Sequence, residues 1–338
     1  MAMTRPASAR RWRLHLESRR AQPPGMHLHA QAWARAAERH AELAAQVEPS
    51  FGWDGETLAE SVADADFLIA SAFAKPVVNA APRLAWIHTT GAGVDQLAPL
   101  AELREDLLLT NSSGIHGDRA REYALMALLM LHSGYPALAA AQREHRWQPR
   151  LAPSIRGRTL LAVGYGDVGQ AIGAAALALG MRVLAVTRSG ALAPGSAGAD
   201  EVAALDRLDE LLPRADVVAL AAPLTPATRQ VLDARRQALM ADGACVLNMA
   251  RAALLDHDAL LARLRSGACG GAVLDVFDPE PLPAQSPLWD APNLLVTPHV
   301  SCDVPDYAQR VLDRWFDNFA RRLKGAPLGN IVDRARGY

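Results

Sequence analysis

Cysteine is scarce in this sequence. Cys245, Cys269 and Cys302 are too few and too scattered for a disulfide framework, so they read as free thiols in a reducing cytoplasm. Long hydrophobic runs are missing too: no stretch of roughly 18 apolar residues offers a transmembrane helix. Met1–Arg13 is rich in arginine and small residues, but no apolar h-region follows. The Arg10-Arg11 pair likewise lacks the hydrophobic stretch of a twin-arginine signal. This start is therefore expected to be a solvated tail and the protein cytoplasmic. Charge of one sign is also lacking, since 35 basic residues face 36 acidic ones for a formal net charge of -1. That excludes bulk attraction to nucleic acid or to a membrane surface, and no basic stripe with interleaved aromatics contradicts it. His27-x-His29 stands without an H-E-x-x-H or paired C-x-x-C spacing, so no metal is expected. A G-x-S-x-G elbow is absent, as are solenoid repeats and low-complexity tracts.

What remains is a normal globular balance, 50% hydrophobic and 21% charged, over 338 residues, enough for two domains with separate cores. The first third alternates strand-like and helix-like segments. Trp12–Glu17, Phe67–Ser71, Leu84–Thr89 and Leu107–Asn111 read as strands, and Ala30–Ala45 as an amphipathic helix. From Gly117 to about Trp147 the pattern is one long helix, with a Gly134-Tyr135-Pro136 break that kinks it. Six short strands follow, at Thr159–Val163, Arg182–Val186, Val217–Ala221, Cys245–Asn248, Gly271–Leu274 and Leu294–Thr297, separated by helical stretches. Such alternation builds parallel sheets. Tyr307–Lys324 reads as an amphipathic helix without a following strand, expected to return to the N-terminal domain. The fold class is α/β, with a dinucleotide-binding, doubly wound domain inserted in a discontinuous outer one.

The first of the six strands runs into Gly164-Tyr165-Gly166-Asp167-Val168-Gly169, and a helix over Gln170–Gly180 follows. In this setting every glycine is needed. Gly164 turns the chain, Gly166 lets backbone approach a pyrophosphate, and Gly169 lets helix and strand pack closely. The helix N-terminus adds free N–H groups and a positive dipole end. About twenty residues on, an NAD site usually carries an acidic residue for the ribose 2′-hydroxyl. Here Thr187-Arg188-Ser189 occupies the place. A guanidinium binds phosphate as a planar fork, which favours NADP, with NAD the alternative.

Three polar segments end later strands, on the side where such sheets bind ligands. They are Asn248-Met249-Ala250-Arg251, Asp275-Val276-Phe277-Asp278-Pro279-Glu280-Pro281 and Thr297-Pro298-His299. Together they supply a cation, a carboxylate and an imidazole. Reduction of a keto acid uses these three: the cation holds the carboxylate and polarises the ketone, and the imidazolium protonates the developing alkoxide. A carboxylate beside an imidazole favours its charged form and fixes its orientation.

From about Phe67 to about Lys324, and most specifically over Leu247–His299, the chain resembles the D-isomer-specific 2-hydroxyacid dehydrogenases, in particular the glyoxylate/hydroxypyruvate reductases. The resemblance implies two Rossmann-like doubly wound domains, with the nucleotide domain (115–301) inserted between residues 1–114 and 302–338 of a flavodoxin-like substrate domain. It implies that Arg251 binds substrate, Glu280 partners the acid/base, His299 is the acid/base, and Asp275 holds the nicotinamide carboxamide. Gly164, Tyr165, Gly166, Asp167, Val168, Thr187, Arg188, Ser189, Ala222, Pro223, Met249 and Ala250 would line the cofactor. The turn Gly91-Ala92-Gly93-Val94-Asp95 resembles the loop whose amides, at Ala92 and Gly93, bind the substrate carboxylate, as a nest of N–H groups does. The expected product is the D 2-hydroxy acid, and the expected assembly a homodimer.

Some positions depart from the family. Ala252-Ala253 follow Arg251 where glycine is common, and Cys302 stands where a small residue is usual. Ser71 and Phe73 offer no charge where the phosphoglycerate enzymes carry an arginine, which argues against a phosphorylated substrate; glyoxylate or hydroxypyruvate is the expected one. Bulkier keto acids fit if Trp53 and Phe73 form an apolar wall. Formate dehydrogenase is disfavoured because Glu280 suits acid/base chemistry. The alternative from another class is a dinucleotide-sensing, corepressor-like scaffold without turnover, because fold alone does not fix function.

Overall fold

The computed structural model describes residues 11–196 and 198–338; most of the arginine-rich tail, residues 1–10, lies outside them. The chain divides into two compact units, one of residues up to Ile115 with Val304–Tyr338, the other of His116–Asp303.

The first unit carries five strands: β1 (Trp12–Ser18), β2 (Val47–Trp53), β3 (Phe67–Ala70), β4 (Trp86–Thr89) and β5 (Leu108–Thr110). They pair in parallel in the order β2-β1-β3-β4-β5, the flavodoxin-like arrangement. Every residue of β3 and β4 is buried, as strands covered on both faces must be. Side chains alternate between two cores. Leu14, Leu16, Phe67 and Ile69 point to one face, and Leu68, Ala70 and Ile87 to the other. The first face is closed by the helix Tyr307–Leu323, which sends in Trp315, Phe316 and Phe319, all fully buried. Trp315 stacks on Trp86 with ring centroids 5.5 Å apart and on Phe319 at 5.0 Å. The C-terminal helix thus belongs to the first unit.

Two features here differ from the sequence reading. β2 was not expected, because Val-Glu-Pro-Ser-Phe-Gly-Trp has no clean alternation and contains proline and glycine. As an edge strand paired on one side only, it tolerates both. The helix expected over Ala30–Ala45 is two helices, Ala30–Arg39 and Ala41–Ala44, broken at His40. There the ring stacks on Phe316 at 4.6 Å and meets Asp313 at 2.9 Å, so tertiary contacts hold the break.

The second unit holds β6 (Thr159–Val163), β7 (Arg182–Thr187), β8 (Glu201–Ala204), β9 (Val217–Leu220), β10 (Cys245–Asn248), β11 (Gly271–Leu274) and β12 (Leu294–Val296). All pair in parallel, in the order β12-β11-β10-β9-β6-β7-β8. This is the dinucleotide-binding order extended by one strand, and it reverses between β6 and β9. The sheet therefore has seven strands where six were expected. The missed β8 is four residues at an edge, Glu-Val-Ala-Ala, too short and too weakly β-forming to stand out. Leu161 and Val163 face one core and Leu160 and Ala162 the other. The long helical stretch after Gly117 is a pair, Gly117–Ser133 and Tyr135–Arg143, bent by 69°. Gly134, at φ 64°, supplies the left-handed residue that ends the first. No single described helix is long and apolar enough to cross a membrane.

Candidate active site

The reversal of strand order puts the loops after β6 and β9 side by side, and the glycine loop sits there. Gly164 has φ 93°, and a Cβ on it would lie 2.5 Å from the amide nitrogen of Ala222, in the loop after β9. A Cβ on Gly169 would overlap the carbonyl oxygen of Gly164, so only glycine lets the helix Asp167–Ala178 approach β6 this closely. A Cβ at Gly166, the helix N-cap, would meet nothing within 4 Å. Tight packing behind and open space at the helix N-terminus in front make a cradle that fits a pyrophosphate. The helix starts at Asp167, three residues before the expected Gln170. Tyr165 and Val168 pack into the core on that side.

β7 ends at Thr187, whose hydroxyl donates to the carbonyl of Ala191 at 3.1 Å. Arg188 and Ser189 follow as exposed residues, and Arg188 forms no ion pair with a described residue. Across the switch point, Ala222 is buried and Pro223 uses its carbonyl to accept from Thr228 at 2.6 Å. Beyond β10, Met249 is buried and Ala250 half-buried.

Arg251, Glu280 and His299 all follow C-terminal ends of strands of this sheet. The turn after β10 is tied by Asn248, whose side-chain amide donates to the carbonyl of Arg251 at 2.9 Å. Its side-chain oxygen accepts from the amide of Ala250 at 3.1 Å. Glu280 is held from one side by the Phe277 amide, which donates to Oε1 at 2.9 Å. Its Oε2 lies 2.9 Å from Nδ1 of His299. That contact fixes the tautomer: Nδ1–H donates to the carboxylate, and Nε2 is directed away from it. Both side chains stay open, at 47% and 38% exposure.

The backbone around His299 explains the next layer. His299 has φ 55°, a left-handed conformation that costs an imidazole-bearing residue about 1–3 kcal/mol. The loop is pinned there by Asp275, which is fully buried. Its Oδ1 accepts from the Thr297 hydroxyl at 2.6 Å and from the Val300 amide at 2.9 Å. Oδ2 accepts from the Ser301 amide at 2.9 Å. Because Thr297 spends its proton on Asp275, the Tyr123 hydroxyl 2.5 Å away must be the donor to Thr297. Burial pushes the Tyr123 phenol well above its ordinary range, which keeps it protonated for that role. Tyr123 escaped the sequence reading as one aromatic in an apolar helix. The available signal was that a buried tyrosine hydroxyl needs a partner.

Burial pushes the Cys302 thiol up to about 11, which favours its protonated form. His27 and His29 are used locally. His27 Nε2 bonds the Gln22 carbonyl at 2.7 Å, and His29 Nδ1 caps the next helix by accepting from the Ala32 amide at 3.1 Å. Trp53 packs edge-on to His27, while Phe73 joins the core around Leu97, so the two rings have different surroundings.

In the first unit, the Gly91–Asp95 turn follows β4. Its carbonyls are taken: Gly91 accepts from the Ser112 amide at 3.1 Å, Ala92 from the Asn111 side chain at 2.7 Å, and Gly93 from Gln96 at 3.4 Å. The amides of Ala92 and Gly93 donate to no described residue. Beneath the turn, His88 bridges Thr110 at 2.8 Å and Ser112 at 3.0 Å, and complete burial drives its pKa down to about 3.

A doubly wound nucleotide domain with an imidazole–carboxylate pair at its strand ends defines a dehydrogenase class. Comparison with known proteins narrows it. Residues 125–301 match the sequence profile described as D-isomer specific 2-hydroxyacid dehydrogenase, NAD binding domain. A D-isomer specific 2-hydroxyacid dehydrogenase family protein from Aeromonas salmonicida superposes with TM-score 0.79 and 34% identity, covering 96% of this chain and 100% of that one. The NADPH-dependent glyoxylate/hydroxypyruvate reductase of Sinorhizobium meliloti, solved with NADP and sulfate, gives 0.79 and 26%, covering 96% and 99%. D-3-phosphoglycerate dehydrogenase of Mycobacterium tuberculosis is 33% identical over 304 residues, 87% of this chain and 56% of that one. This chain spans about half the length of the phosphoglycerate dehydrogenases it matches. The chain belongs to the D-isomer specific 2-hydroxyacid dehydrogenase family.

Proposed function

We propose that this protein reduces a small, unphosphorylated 2-keto acid of the glyoxylate or hydroxypyruvate type to the D 2-hydroxy acid, with NADPH preferred over NADH. The observation that carries the reading is the His299–Glu280 pair, 2.9 Å apart with Glu280 anchored a second time by the Phe277 amide. The nicotinamide, when bound, supplies the hydride. His299 gives its Nε2 proton to the alkoxide oxygen, and Glu280 holds the resulting neutral ring in the Nδ1–H tautomer. Arg251 holds the substrate carboxylate and polarises the ketone. The glycine cradle takes the pyrophosphate, and Asp275 is the proposed partner of the carboxamide. Ala222, Pro223, Met249 and Ala250 make the remaining proposed cofactor contacts. For the preference, the support is Arg188 and Ser189, exposed just past β7 where an acidic residue would select NAD.

A homodimer fits the exposed apolar side chains of the two bent helices, Met126, Leu129, Tyr135 and Leu138. Light scattering reads its mass directly; a monomer at micromolar concentration would refute it. Nicotinamide absorbance during turnover tests the reaction itself, with NADPH and NADH each offered with glyoxylate, hydroxypyruvate, pyruvate and phenylpyruvate. His299→Ala is expected to lower kcat by about 10²–10⁴-fold while cofactor affinity holds. An unchanged kcat removes His299 from the mechanism.

A further inference from the structure

β1 has two unlike faces. Leu14 and Leu16 enter the core beneath the C-terminal helix, while Arg13, His15 and Glu17 point to the opposite face. In the parallel register with β2, Arg13 pairs with Glu48, His15 with Ser50 and Glu17 with Gly52. His15, wholly buried, lies 2.8 Å through Nε2 from Glu17 Oε2 and 2.9 Å through Nδ1 from Ser50 Oγ. Glu17 is itself fixed, its Oε1 accepting from the Gly55 amide at 2.7 Å. Ser50 is exposed.

The proton positions follow from these contacts. Ionised Glu17 can only accept, so Nε2 carries the proton and donates to it. Burial favours neutral His15, which leaves Nδ1 as an acceptor for the Ser50 hydroxyl. The other acceptor near that hydroxyl, the Leu14 carbonyl, is 3.5 Å away and competes poorly. A serine bonded to a base, with the base oriented by a carboxylate, is the arrangement that activates a hydroxyl nucleophile. Glycine at position 52 makes room for it: a Cβ there would overlap Glu17 Oε2 and stand 2.8 Å from His15 Nε2. Ser50 also lines a cavity of about 260 Å³, with Arg13, Glu48, Glu60, Ser61 and Asp64 around it.

We propose that Ser50, His15 and Glu17 form a second reactive site on the first unit, at which Ser50 is acylated or phosphonylated by uncharged activated esters. The Ser50 proton passes to His15 Nδ1 as Oγ bonds to the acyl carbon or phosphorus. The leaving group departs with its bonding pair and takes that proton. Hydrolysis of an acyl-serine repeats the sequence with water in place of Ser50. Three carboxylates against one guanidinium around the cavity disfavour anionic donors, which is consistent with an uncharged class.

The test exposes the full-length protein to an uncharged alkyl fluorophosphonate and follows each serine by peptide mass spectrometry. Ser61, on the same cavity without a histidine partner, is the internal reference. Ser50 is expected to react at least about 10²-fold faster, the size of a general-base contribution. Glu17→Gln should slow Ser50 labelling by tenfold or more while keto-acid reduction is retained, and Ser50→Ala should abolish the labelled peptide. Ser50 labelling no faster than Ser61 in the unmodified protein overturns the proposal without any variant. So does a Glu17→Gln protein, still active in reduction, whose Ser50 reacts at the original rate. Neither result bears on the dehydrogenase reading, which the nicotinamide assay tests separately.

Discussion

Replacing Thr297 by valine keeps the shape of the side chain and deletes one hydroxyl, the link between Tyr123 and Asp275. Two bonds disappear. The one to Asp275, at 2.6 Å, involves a carboxylate and is worth about 1.5–3 kcal/mol; the one from Tyr123, at 2.5 Å, joins neutral groups and is worth about 1 kcal/mol. Tyr123 is 1% exposed and Asp275 0%, so water cannot easily replace what is lost. Thr297→Val should therefore cost about 2.5–4 kcal/mol in urea unfolding. Thr297→Ser keeps the hydroxyl and should cost under about 1 kcal/mol. Tyr123→Phe alone should cost about 1 kcal/mol, and much less once Thr297 is already valine, because the two changes remove the same bond. The same loss loosens the loop that holds His299 at φ 55°. Since a misplacement of about 1 Å can cost roughly 10²-fold in rate, kcat should fall by tenfold or more in Thr297→Val and be rescued in Thr297→Ser. A valine variant as stable and as active as the serine variant would refute the chain Tyr123 to Thr297 to Asp275.

Other outcomes follow from the same geometry. Arg188→Asp removes the cation and supplies an acceptor for a ribose hydroxyl, so kcat/KM with NADPH should fall by tenfold or more relative to NADH; an unchanged ratio takes Arg188 out of cofactor selection. Gly169→Ala should destabilise the second unit by about 1–3 kcal/mol and weaken cofactor binding, because its methyl overlaps the Gly164 carbonyl oxygen. Calorimetric titration with full affinity would contradict the cradle. His88, lowered from 6.5 to about 3, binds a proton in the unfolded chain that the folded one refuses. Its contribution is complete above pH 6.5 and is lost as pH falls from there towards 3, at about 1.4 kcal/mol per pH unit, and His15 shifts in the same direction. His88→Gln should flatten the stability curve over that window by about one proton. An unaltered slope would show that His88 does not govern it.

Much of the fold is legible in local pattern. Short apolar runs bounded by turns mark β3, β4, β6 and β9 to β11, because strands covered on both faces carry that signal in their own residues. The glycine loop is legible for a similar reason: Gly164, Gly166 and Gly169 answer to steric demands within a few residues of themselves. The edge strands β2 and β8 leave no such mark, because β2 carries proline and glycine without alternation and β8 is only Glu-Val-Ala-Ala, whereas the edge strands β5 and β12 do read as apolar runs. The break at His40 depends on Phe316 and Asp313, some 270 positions away, and no local window contains it.

The class of chemistry can be read from the chain without coordinates, through which residue types end which strands: a glycine turn after β6, then an arginine, a glutamate and a histidine beyond later strands. What holds those residues depends on the tertiary fold. Asp275, read as a cofactor contact, is largely occupied in clamping the His299 loop, and Tyr123 reaches that clamp across 174 positions. Ser50 and His15 meet only because β2 adds beside β1 in one register, and a slip of one residue would turn Ser50 to the other face. Strand formation is a local balance of side-chain burial and turn chemistry. The partner a buried polar group finds is fixed by which distant strand or helix lies against it.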